Sequence, residues 1–140
     1  MNFNTNIIMY EIRELIRQEI DYSFTLQKDP VTGQNWPPLK PATIKRKKPR
    51  MRTQILQNTR VMRRGVNLQI LGNTIEVSNA ERYAPFHQLG TRKMPQRRFL
   101  PFKDNGEASD SLISKIDTYL APDNRGGQEV ISQVIRMLFN

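Results

Sequence analysis

Ile8, Ile12, Ile16, Ile20 and Phe24 recur every four residues, and Leu15 widens the stripe they form. That spacing puts one apolar face on a helix running from about Thr5 to Gln27, with Thr5 or Asn6 available to cap it. A helix of this length draws most of its stability from packing, so the stripe requires a partner surface. Further on, the period changes from four to two. Val66, Leu68 and Ile70 alternate with Asn67 and Gln69, and Ile75 and Val77 alternate with Thr74, Glu76 and Ser78. Gly72-Asn73 lies between the two runs, so they read as a hairpin over about 66–78.

The rest of the chain is arranged around these two elements. Asp29-Pro30-Val31-Thr32-Gly33 ends the first helix with turn residues. Trp36-Pro37-Pro38-Leu39-Lys40-Pro41 has too many prolines for helix interior or central strand, and predicts an extended segment anchored by the sole tryptophan. Pro41 to Ile44 can open a short helix, and Lys45 to Arg52 reads as a charged loop. Ile55 to Arg64 predicts a short helix ended by Gly65. Tyr83 to Gly90 reads as a short helical or turn segment closed by Gly90 that buries Tyr83 and Phe86, and Met94 to Pro101 as an extended loop from which Phe99 re-enters the core. Ala108 to Leu120 predicts a helix with Leu112, Ile113, Ile116, Tyr119 and Leu120 on one side. Val130, Ile131, Val134, Ile135, Leu138 and Phe139 predict a last amphipathic helix. Helices gathered around a small antiparallel sheet define an α+β fold. The chain divides into a domain over 1–120 and a C-terminal helical extension over 121–140.

Composition narrows the chemistry. The 140 residues include no cysteine and one histidine, which removes disulfides, thiolate metal sites and cysteine nucleophiles. No apolar run reaches the roughly 20 residues needed to span a bilayer, and the first residues lack a basic start to a signal peptide, so synthesis and assembly in a cytoplasm are expected. The glycines fall in no phosphate-cradling pattern. His87 has only Glu81 near it in sequence as an orienting acid, and reads as structural rather than catalytic. Asp104, Glu107 and Asp110 fit a helix start, where acids complement the macrodipole, better than a metal site. No catalytic, cofactor or metal residue is assigned.

The formal net charge is +9, and no acid occurs between Asp29 and Glu76. Lys45, Arg46, Lys47, Lys48, Arg50 and Arg52 concentrate charge in eight residues. Such a run is a solvated loop or an electrostatic contact to DNA backbone or an acidic protein surface. It lacks interleaved aromatics, so stacking on single-stranded bases is not supported. From Tyr83 to Phe102, apolar side chains alternate with Arg92, Lys93, Arg97 and Arg98, and these arginines are the candidates for surface contact.

Three stretches resemble one family. Trp36-Pro37-Pro38-Leu39-Lys40-Pro41-Ala42-Thr43-Ile44 is similar to the W-x-P-L-x-P-x-T-I segment of the tailed-phage virion morphogenesis (tail-completion) family. Tyr83-Ala84-Pro85-Phe86-His87-Gln88-Leu89-Gly90 resembles its Y-A-x-x-H-Q-F-G, and Met94-Pro95-Gln96-Arg97-Arg98-Phe99-Leu100-Pro101 its I-P-x-R-P-F-L-P. Together they cover about residues 5–120 in the family's order. Thr59-Arg60 stands where the family has Thr-Gly, Leu89 replaces its Phe and Arg98 its Pro.

The resemblance implies a structural, non-enzymatic virion protein of the neck. Such a protein forms a six-fold ring at the head–tail junction, without cofactor or membrane. The implied partners are further copies of the chain, the adjacent connector protein, tail tube or sheath proteins, and the packaged DNA backbone. The interface candidates are Trp36, Pro38, Leu39, Arg92, Lys93, Met94, Pro95, Arg97, Arg98 and Leu100. Two other classes stay open: a free basic protein that binds duplex DNA, and a small hydrolase using His87.

Overall fold

The computed structural model describes residues 5–46, 61–72, 74–120 and 135–137. Helix α1 (Thr5–Leu26) presents Ile12, Ile16, Ile20 and Phe24 inward, fully or almost fully buried. Its partner is the hairpin of β1 (Val66–Leu71) and β2 (Thr74–Asn79), paired antiparallel with Val66 opposite Asn79 and Leu71 opposite Thr74. Leu68, Ile75 and Val77 are buried, so the period-two pattern supplies the sheet face that the period-four stripe requires. Gly72 turns the hairpin at φ 62°, a left-handed conformation that glycine adopts without a Cβ penalty.

Three short helices and one longer one complete the described fold: α2 (Pro41–Arg46), α3 (Val61–Arg64), α4 (Ala84–Leu89) and α5 (Asp110–Leu120). Helix α5 packs against α1 through buried Leu112 and Ile116, and Lys115 reaches across to bond the buried Glu19. The architecture is α+β, with α1 packed on the hairpin and α5 on α1. No helix of the described residues is long and apolar enough to cross a membrane.

Several sequence expectations are corrected. Ile135–Met137 form strand β3, parallel to β2 with Ile75 opposite Ile135, rather than part of a helix. The apolar run there fits either period, and the open edge of β2 supplies backbone partners that decide the outcome. The remainder of 121–140 lies outside the described residues. Lys45 and Arg46 belong to the last turn of α2 instead of a loop. Lys47, Lys48, Arg50 and Arg52 lie outside the described residues, as does the 55–60 part of the expected short helix, whose end is helical as α3. Tyr119 is exposed, beyond the edge of the α5 face that meets α1.

Candidate functional site

The Pro-rich segment, α4 and the loop that follows it converge beside the C-terminal end of α1. Gln27, at φ 53°, ends α1 in the left-handed conformation common at helix C-termini. The chain then doubles back: Asp29 N–H donates to Gln34 O at 2.8 Å and Trp36 N–H to Gln27 O at 2.8 Å. The Asp29 carboxylate accepts the N–H groups of Val31 and Thr32 and shapes the turn. This delivers the Trp36 indole onto Phe24, edge to face at 5.6 Å, while its Nε1–H donates to Arg98 O at 2.8 Å. Phe99 packs on the same Phe24 ring, and Ser23 Oγ donates to Phe99 O at 2.8 Å.

Helix α4 begins at Tyr83, which makes no side-chain cap, and carries a proline in its first turn. Gly90 ends it at φ 76°, donating to Phe86 O at 2.8 Å. Its inner face is Ala84 and Gln88, four residues apart and fully buried. Gln88 is the hub of the loop. Its Oε1 accepts the N–H groups of Phe99 at 3.0 Å and Leu100 at 2.9 Å. Its Nε2 donates to Leu100 O at 3.2 Å and Phe102 O at 3.3 Å. One amide thus bonds four backbone groups of the irregular 99–102 segment, three of which have no other partner within that segment; the Leu100 carbonyl also accepts the Phe102 N–H at 2.8 Å.

Two arginines fasten the same loop. Arg97 donates through Nε to Pro37 O at 2.9 Å and through Nη2 to Pro38 O at 3.0 Å, binding the Pro-rich segment to it. Arg98 pairs with Asp29 at 3.0 Å and with Asp104 at 2.7 Å. Hydrogen bonds from Arg98, and more weakly from Gln96, hold the Asp104 carboxyl below its usual range. His87 accepts Arg97 N–H at its backbone oxygen at 2.9 Å. Burial, and then the charge of Arg97, push the imidazole below its usual pKa. It therefore stays neutral near pH 7.

The expected interface residues separate into two sets. Trp36, Arg97, Arg98 and Leu100 are buried, and the expectation that Arg97 and Arg98 meet a partner at the surface is corrected. Their guanidinium groups find better acceptors inside, in carbonyls and carboxylates some 60 residues distant. Pro38, Arg92, Lys93 and Pro95 are exposed, and Leu39 and Met94 half-buried. Arg92 to Met94 form a tip closed by Thr91, whose Oγ1 accepts from Lys93 N and Met94 N. Tyr83 and Phe86, expected in the core, are exposed instead, because Ala84 and Gln88 take the inner face of α4. Gln88 and Asp29 were not anticipated. For Gln88 the signal was its spacing of four from Ala84; for Asp29 only the turn sequence hinted at a role.

Comparison with curated proteins and with solved structures gives no match. The three stretches that meet at this site all lie within residues 2–121, which match the model of a phage virion morphogenesis family. That match spans most of the chain and includes every part of the Gln88 and Arg97 network, so the chain belongs to the phage virion morphogenesis family.

Proposed function

We propose that the protein is a neck component, a tail terminator or completion protein that forms a ring at the head–tail junction and joins the tail to the head connector. It acts by assembly and turns over no substrate. The observation that carries this reading is the construction of the 91–95 tip. A buried glutamine and two buried arginines fix the loop from below, while Arg92, Lys93 and Pro95 stand in solvent. A loop so fastened presents a surface at little entropic cost on association, which suits a repeated subunit contact. Membership of the family supports a virion role for the chain.

Reconstruction of assembled particles tests the reading. The expected density is a closed ring between the head portal and the tail tube. Density confined to the capsid shell or to tail fibres refutes it.

Free duplex binding is the second reading. Lys40, Lys45 and Arg46 on and beside α2 are exposed and enter no ion pair among the described residues. It requires an affinity that falls steeply with salt and with neutralisation of Lys45 and Arg46. Binding indifferent to both removes it.

A further inference from the structure

Asn105 is the only asparagine of the chain followed by glycine. It stands at the exposed tip of a short loop closed by the Phe102–Ala108 bridge, by Lys103 N–H donating to Glu107 O at 2.6 Å and by Gly106 N–H donating to Lys103 O at 2.9 Å. Asn105 Oδ1 accepts Glu107 N–H at 3.0 Å, so the side-chain amide is folded back along the 105–107 backbone instead of pointing into solvent. Gly106 sits at φ 90°, and the space that a Cβ would take there is empty, so no side chain shields its nitrogen.

An amide in that position is open to attack by the next main-chain nitrogen. Gly106 N gives its proton to water and bonds to Asn105 Cγ; the Cγ–Nδ2 bond breaks and ammonia leaves. Water then opens the five-membered imide. Attack at Cγ returns the normal main chain with an aspartate. Attack at the Asn105 main-chain carbonyl returns an isoaspartyl residue, whose chain runs through Cβ and Cγ and is one methylene longer. Neither route needs an oxidant or a reductant. The Lys103–Gly106 hydrogen bond restrains the first step, because the attacking nitrogen must release the same proton. Conversion therefore proceeds from molecules whose turn is open.

The two products differ in what they do to Arg98. The adjacent Asp104 accepts Arg98 Nη2 and Gln96 Nε2, each at 2.7 Å, and Arg98 is buried. Aspartate at 105 keeps the backbone path and an oxygen for Glu107 N–H. An isoaspartyl residue puts an extra methylene into the turn that Lys103, Gly106 and Glu107 close, so the turn loses its closure and Asp104 is carried off its partners. Arg98 then keeps Asp29 alone.

We propose that Asn105–Gly106 is a spontaneous modification site, and that its isoaspartyl product unfastens Arg98 and loosens the loop behind the 91–95 tip as the chain ages. The inference does not depend on the ring reading.

The isolated full-length chain tests it. The chain is incubated at mildly alkaline pH, sampled over time and mapped by peptide mass spectrometry, with isoaspartate detected by enzymatic carboxyl methylation. The amide-to-acid mass gain is expected first at Asn105, with isoaspartate among the products. The isoaspartyl fraction, separated by ion exchange, has a urea midpoint lower by roughly 0.5 M or more, while Asn105→Asp expressed directly stays within about 0.2 M of wild type. Asn105→Gln, which cannot form the five-membered ring, keeps its own midpoint through the same incubation. Gain at other asparagines but not at Asn105, or conversion only after unfolding in urea, overturns the proposal. So does an isoaspartyl fraction as stable as wild type, an Asn105→Asp chain destabilised as much as that fraction, or an Asn105→Gln chain that loses as much stability on incubation.

Discussion

Replacing Gln88 with methionine keeps the side chain's length and removes every hydrogen bond that it makes to the 99–102 backbone. Four hydrogen bonds are lost: three leave a buried main-chain group without its partner, the N–H groups of Phe99 and Leu100 and the carbonyl of Phe102, and the fourth leaves the Leu100 carbonyl with the Phe102 N–H alone. At about 1 kcal/mol of net stability for each, the loss is about 4 kcal/mol. A domain of this size has about 5–15 kcal/mol in total, so the variant folds with a thin margin. Urea denaturation followed by Trp36 fluorescence measures the effect, because this tryptophan is buried and bonded to the same loop. With a slope of about 2 kcal/mol per molar, the midpoint falls by roughly 2 M at unchanged slope. Gln88→Glu refines the test. The introduced carboxylate accepts both N–H groups but opposes both carbonyls, and only its protonated form donates. Burial raises its folded-state pKa above the unfolded value, so the stability it contributes is present in acid and is lost as pH rises through the folded pKa. A Gln88→Met variant within about 1 kcal/mol of wild type refutes the role assigned to this amide.

Gly90→Ala forces a Cβ into a φ of 76° and to 3.2 Å from Gln96 N and Cβ, and lowers stability by about 2 kcal/mol in the same assay. His87→Gln flattens the pH profile: the depressed imidazole pKa makes the wild type fully stable above the unfolded histidine value of about 6.5 and progressively less so as pH falls below it, a decline the variant lacks. Asp29→Ala leaves the buried Arg98 with Asp104 alone and strips the 29–33 turn of its acceptor, a loss of about 3 kcal/mol in chemical denaturation; Asp104→Ala, at an exposed carboxylate, costs less.

Local periodicity made α1 and the hairpin legible, because each element carries its own pattern and each pattern names the surface it needs. Trp36 was legible as an anchor, since a lone tryptophan among prolines has few other uses. The loop arginines were not. Whether a guanidinium is buried depends on acceptors brought to it by the rest of the fold, here the carbonyls of Pro37 and Pro38 and the carboxylate of Asp29. The apolar count of Tyr83 to Leu89 suggested a buried turn, yet in a helix of six residues the inner face holds few positions, and the polar Gln88 has one of them. Strand β3 escaped notice because an apolar run of mixed period takes the structure its neighbour offers.

The parallel pairing of β2 with β3 joins residue 75 to residue 135 and so bears on the order of events during synthesis. The hairpin can close as soon as residue 79 is free, but the far side of β2 keeps unpaired N–H and C=O groups until residues 135–137 have left the ribosome. A chain cut short before that point displays an open strand edge, the kind of surface on which copies pair wrongly. Only a chain that includes 135–137 has this edge occupied, so synthesis of this three-residue strand and protection from premature association are coupled.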